Sequence, residues 1–250
     1  MSRSLEPWSI EASEIRCGRV DPYYVKTLTR VLAAHAMTQK LVVAGYQRML
    51  DTVADPSLRE LTEQIHLQER LHAQLVYQLL EEIGVREQSA DRTLLRAFRS
   101  PSFEAPLFFA ERAQGEIDLL MAGLSFETSG LLMLGVNYVE SSYAPHARLA
   151  QVVLEEKAAH DQLFSDLLAQ EAPRLGLELV SERLFCWLPM AVNSFGPAGS
   201  GFTNECLRLG LKRKDNQQLA DLYLALTRLR CQRVGLRMPQ LTAEYPRRLV

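Results

Sequence analysis

Six polar residues fall on a doubled grid. Gln39 is followed thirty residues later by Glu69 and three residues on by His72. Glu127, Lys157 and His160 repeat the pattern with an offset of 88 residues at all three positions. A carboxylate and an imidazole at i, i+3 share one helix face. Two such pairs, with one Glu from each of two further helices, form the ligand set with which a helical bundle holds two metal ions. A metal pair of that kind activates O2 with electrons delivered from outside. A complete grid needs four glutamates and two histidines, and the chain supplies Glu69, His72, Glu127 and His160. Gln39 is neutral and a weak ligand. Lys157 places an ammonium, which has no lone pair, where a bridging carboxylate would sit. Buried there, it is expected to pair with Glu69 or Glu127. A metal-free core and a single-ion site both remain open. The single ion would sit on Glu69, Glu127 and His160, or on Glu69 and His72 with Gln39. The charge balance favours one iron or none over two. His35 and His66 lie one turn from the grid as substitute ligands.

Four long helices must position this grid. Between Pro22 and Asp51 apolar residues recur at helical spacing, including Leu28, Val31, Leu32, Tyr46 and Met49. Asp55 followed by Pro56 opens the next helix, whose stripe runs from Leu58 to Ile83, with Gly84 as its stop. Residues 85–106 form a long connection with a short helix expected around Leu94 to Phe98. A third helix is expected from about Leu107 to Glu140, a break at Ser142 to Pro145, and a fourth helix to about Gln170. Short, long and short connections give two antiparallel hairpins joined by a crossover, the ferritin-like topology. The expected fold is therefore all-α: a ferritin-like four-helix bundle (22–170) with added helices (172–240). An N-terminal segment (1–21) and a C-terminal tail (241–250) flank it. The added helices include a Pro-interrupted stretch, Leu184 to Pro197, and an amphipathic helix at about Asn216 to Arg237.

Several motifs extend beyond the grid. Lys26-Thr27-Leu28-Thr29-Arg30 with His35-Ala36 opens the first helix, and Glu69-x-x-His72 lies on the second. Ser142-Tyr143-Ala144-Pro145-His146-Ala147-Arg148 forms the turn into the fourth. Trp187, Phe195-Gly196-Pro197 and Lys212-Arg213 follow. From Tyr24 to Pro239 the chain resembles the phenylacetyl-CoA epoxidase catalytic (A) subunit, whose family also includes the epoxidase's structural C subunit. The resemblance implies O2-dependent epoxidation of an aromatic ring in an acyl-CoA thioester, a partner reductase, and assembly with a related helical subunit or as a homodimer. The chain departs from the catalytic pattern at Gln39 and Lys157, where the family has metal-binding glutamates. On the third helix the family's acidic ligand aligns with either Glu127 or Thr128. The alternative to an oxygenase component is a metal-free, non-catalytic interaction subunit of the same family.

Composition narrows the remaining classes. The net charge of −2 over 250 residues gives no global reason to bind nucleic acid. The longest apolar runs, such as Gly130 to Val136, are short for a membrane helix. Met1 to Glu14 lacks a signal-peptide core. Cys17, Cys186, Cys206 and Cys231 stand far apart, which suits a reducing cytoplasm. Charge is uneven: from Gly201 onward ten Lys/Arg face four Asp/Glu, a net of +6. Lys212 and Arg213, with Lys214, Arg230, Arg233 and Arg237, could meet the phosphates of coenzyme A. They could equally form a solvated face or an interface with an acidic partner.

Overall fold

The computed structural model describes residues 9–94 and 99–250. Helices begin where the local chemistry starts them. The Asp21 carboxylate accepts the Tyr23 N–H and Pro22 opens α2 (Pro22–Thr52). Asp55 accepts from Ser57 and Leu58, and Pro56 opens α3 (Pro56–Glu82). In each case an otherwise unsatisfied backbone donor is capped and proline fills the first turn at no hydrogen-bond cost. Gly84, at φ +83°, turns the chain out of α3. Before these helices, Ile10 pairs in an isolated bridge with Tyr143 and α1 (Ala12–Arg16) follows. After them come α4 (Glu87–Leu94) and α5 (Glu104–Glu111). The short helix expected around Leu94 to Phe98 lies mostly on residues 95–98, outside the described residues.

The third long helix differs from its expected extent. It runs from Gly115 to Tyr138 rather than from Leu107, because the chain breaks at residues 112–114. The Gln114 N–H turns to the Asp118 carboxylate at 2.8 Å, and Gly115 takes φ +73°. Leu107 to Phe109 therefore belong to α5, although their apolar pattern runs on into Ile117. Within this helix, α6 (Gly115–Ala122) and α7 (Thr128–Leu132) alternate with π-helical segments at Gly123–Glu127 and Met133–Tyr138. The helix is long and apolar enough to cross a membrane, but 67% of its apolar window is buried inside the protein.

The fourth long helix, α8 (Ala144–Leu175), starts behind the Ser142 turn. Added helices α9 (Leu177–Asn193), α10 (Gly201–Arg208) and α11 (Asn216–Val234) pack on the bundle. Among the described residues there is no β-strand.

Apolar packing is split in two. One core gathers Val42, Tyr46, Ile65, Phe109, Phe164 and Trp187. The other gathers Leu28, Leu32, Val76, Leu80, Tyr138 and Val153. On α2 the division falls between Met37 and Val42, on α3 between Ile65 and Val76, and on α8 between Val153 and Phe164. Those gaps hold Gln39, Glu69, His72, Lys157 and His160. The bundle is two apolar blocks with a charged layer between them.

Candidate metal-type centre

At the middle of this layer, Lys157 lies between two glutamates. Its Nζ donates to Glu69 Oε1 at 2.5 Å and to Glu127 Oε2 at 2.9 Å. The Lys157 side chain is 2% exposed and both carboxylates are fully buried. His160 Nδ1 lies 3.2 Å from Glu127 Oε2, and its Nε2 meets the Gln68 side-chain amide at 2.6 Å. His72 Nε2 donates to Glu156 at 2.9 Å, and its Nδ1 lies 3.4 Å from Glu69 Oε1. Tyr46 donates to Glu127 Oε1 at 2.8 Å. Ligand atoms of Glu69, Glu127 and His160 lie within 4.8 Å of one another.

The spacing on each helix produces this convergence. Glu69 and His72 share the inward face of α3, and Lys157 and His160 share that of α8. Glu127 ends the first π-helical segment. Such a segment inserts a residue into the helical repeat and shifts the phase of everything after it. That shift settles the register: Glu127 points inward, while Thr128 donates to Asp161 Oδ1 at 2.7 Å. Arg230 of α11 donates to both Thr128 and Asp161. The same stretch approaches α8 closely, since a Cβ on Gly123 would stand 2.1 Å from the Phe164 ring.

Electrostatics follow from burial and partners. Burial alone would raise the Glu127 carboxyl. The Lys157 ammonium, then the hydrogen bond from His160, outweigh that and hold it down to about 2. Burial would lower Lys157, but Glu127 and Glu69 outweigh it and push it upward. Both partners thus stay charged at neutral pH. Burial, then the Glu127 charge, push the Tyr46 hydroxyl well upward, so it remains a donor.

These residues do not fit two metal ions. An ammonium already occupies the bridging position and uses both carboxylates. A divalent ion about 4 Å from it would meet roughly 8 kcal/mol of repulsion at an effective dielectric of about 20. Gln39 is buried on α2, but no hydrogen bond joins it to the cluster among the described residues. Glu69 Oε2 and His72 Nδ1 are buried without hydrogen-bond partners. Of the grid's other ligand atoms, Glu127 Oε1 takes the Tyr46 hydroxyl and His160 meets Glu127 and Gln68.

The remaining candidates sit elsewhere. His35 pairs with His146 across α2 and α8 at 3.2 Å, beside the Tyr138 ring. Burial, then Lys157, lower His35 to about 4. His66 is buried on α3 apart from the carboxylates. Lys212 Nζ donates to Asn216 at 3.2 Å, and Arg213 pairs with Glu140 at 2.8 Å. Arg233 pairs with Asp166. Tyr46 and Gln68 are site residues that the grid did not reveal. Tyr46 lies seven residues after Gln39, two turns along the same face, and that spacing was the available signal.

A four-helix bundle with short, long and short connections and a carboxylate–histidine layer at mid-height defines the ferritin-like class. A solved structure in that class, "Protein 19 with aldehyde deformylating oxidase activity from Synechococcus", superposes with a TM-score of 0.64. It covers 87% of this chain and 93% of its own at 16% sequence identity, a likeness of fold. Residues 19–248 match the phenylacetic acid catabolic protein family, and the chain belongs to that family. No curated protein sequence matches it.

Proposed function

We propose that this chain is a non-catalytic helical subunit of an oxygenase-type system in phenylacetic acid catabolism. In it, a lysine has replaced the metal as the cation that holds the ligand helices together. The supporting observation is the Lys157 ammonium shared between buried Glu69 and Glu127. In this reading, O2 chemistry on an acyl-CoA thioester, and the reductase that feeds it, belong to a related subunit with an intact ligand set. This chain supplies the matching helical scaffold. Its own residues neutralise the layer: Lys157 balances the carboxylates, Tyr46 and His160 fix Glu127, and Glu156 orients His72.

A second reading has its own support. The proximity of Glu69, Glu127 and His160, with Glu69 Oε2 unpartnered, offers three donors for one iron. Elemental analysis of protein produced with iron supplied separates the readings. The expected result is less than stoichiometric metal. One iron per chain would establish the second reading, and two per chain would overturn the role given to Lys157.

A further inference from the structure

Four of the chain's five lysines stand in ordinary electrostatic settings. Lys40 pairs with Glu87 and Asp91, and Lys157 with Glu69 and Glu127. Lys26 and Lys214 are exposed to solvent. Lys212 fits neither group. It is half-buried in the turn between α10 and α11, and among the described residues no carboxylate lies within ion-pair distance of it. Burial, opposed only in part by Cys206, pushes its ammonium below the ordinary lysine value. An amine that sheds its proton more readily than its neighbours more often carries a free lone pair, and a desolvated lysine of this kind is a nucleophile.

The surroundings hold this amine in place. Lys212 Nζ donates to Asn216 Oδ1 at 3.2 Å. Asn216 is itself fixed, since its Nδ2 donates to the Pro197 carbonyl at 3.1 Å and to the Thr203 hydroxyl at 2.9 Å. That leaves the amide oxygen to face the lysine. A neutral acceptor takes an N–H from an amine as well as from an ammonium, whereas a carboxylate would hold the extra proton on. The turn is anchored by Asn137, whose Oδ1 accepts the Arg213 and Lys214 N–H groups at 3.0 and 2.8 Å. Arg30 and Lys212 both pull the buried Cys206 thiol down against the stronger effect of burial, so two cations gather at this corner. Arg30 and Lys214 are exposed and in no ion pair among the described residues, which leaves them free to meet an anionic carrier.

We infer that Lys212 is an acylation site, at which its side-chain amine takes the acyl group of an acyl-CoA thioester. The Nζ lone pair attacks the thioester carbonyl carbon, an N–C bond forms and the C–S bond breaks. The amine gives up one proton, which leaves with the thiolate as free coenzyme A. The amide that remains keeps one N–H, which still donates to Asn216 Oδ1. Each acylation removes one positive charge from the basic stretch after Gly201. The inference draws on the proposed function only for the class of thioester that the associated oxygenase chemistry handles.

Acetyl-CoA is the probe. The full chain is incubated with it at neutral pH, washed with a thiol to strip any S-linked acyl group, and mapped by peptide mass spectrometry. Lys212 should be acetylated several-fold faster than Lys26 and Lys214. That lead should narrow as the pH rises towards about 10, where ordinary lysines lose their proton too. Lys212→Arg keeps the charge and should remove the fast site while leaving the slow ones unchanged. A Lys212 that reacts no faster than Lys26 and Lys214 at neutral pH overturns the inference. So does a lead that pH leaves unaltered, since an amine ahead only because it has shed its proton must lose that lead when the others follow. Neither result depends on metal content, so failure here and failure of the proposed function are distinguishable.

Discussion

Lys157→Met keeps an unbranched side chain one atom shorter and removes its charge. It leaves Glu69 and Glu127, both fully buried, facing each other without their shared cation. Removing one partner of a buried pair costs about 3–5 kcal/mol, and one ammonium serving two carboxylates belongs at about the upper figure. A loss of about 5 kcal/mol is a large share of the 5–15 kcal/mol that ordinarily holds a protein folded. At about 2–4 °C per kcal/mol for chains of roughly this size, the melting temperature falls by about 10–20 °C. The loss depends on pH in a definite sense. Without the ammonium, desolvation and mutual repulsion raise the folded-state carboxyls above their ordinary values. The folded variant then binds protons more readily than the unfolded chain, so its deficit shrinks as pH falls from 7 toward 5. Urea unfolding at pH 7 and pH 5 measures both effects. Adding Glu69→Gln and Glu127→Gln should return most of the lost stability, because no buried charge is then left alone. A loss below about 1 kcal/mol, or one indifferent both to pH and to the glutamine substitutions, would refute the buried-triad argument.

Three further outcomes are expected. Lys157→Glu combined with Gln39→Glu restores the full ligand complement, and this variant should take up close to two irons per chain by elemental analysis; uptake no greater than the parent's would count against the grid. His35 should contribute about 3 kcal/mol to the stability the parent loses between pH 6.5 and about 4, because His35, held down to about 4, stays neutral in the fold while the unfolded chain protonates, and His146, which burial and then His35 hold well down, adds to the same limb. That contribution is present above the unfolded value and lost as pH falls through the folded one; His35→Gln should flatten this limb in urea titrations, and an unchanged limb would reassign it. If Lys212 and Arg213 bind coenzyme A esters, calorimetric affinity should fall with salt and with Lys212→Ala/Arg213→Ala; affinity indifferent to both would leave Arg213 to its pairing with Glu140.

The parts of this structure that follow local rules were legible in the sequence. Asp21-Pro22 and Asp55-Pro56 marked helix starts because capping needs only neighbouring residues. The repeated hairpin grid, with its i, i+3 pairs within α3 and α8, placed Glu69, Glu127, Lys157 and His160 in one layer, because residues three apart share a helix face. The choice between Glu127 and Thr128 was not legible, since a π-helical turn changes the period on which such counting depends. The break before Gly115 was hidden because the apolar pattern of α5 continues across it. Gln68 was missed because it finds its partner across the bundle, and Arg230, read as one of a basic row, bridges Thr128 and Asp161 on other helices for the same reason; only Tyr46 carried a signal, in its seven-residue spacing from Gln39.

The charged layer between the two apolar blocks also acts as an address. Leucine and valine stripes fit one another almost as well after a helix slides by one turn, about 5.4 Å, so apolar packing alone specifies vertical alignment weakly. A slide of that size would leave Glu69, Lys157 and Glu127 each opposite an apolar wall, and the bundle would have one alignment without stranded charge. A site built to hold ions is suited to this second use, because it already demands that four helices arrive at one height. With a lysine at its centre, the layer can keep the helices in step without a metal ion.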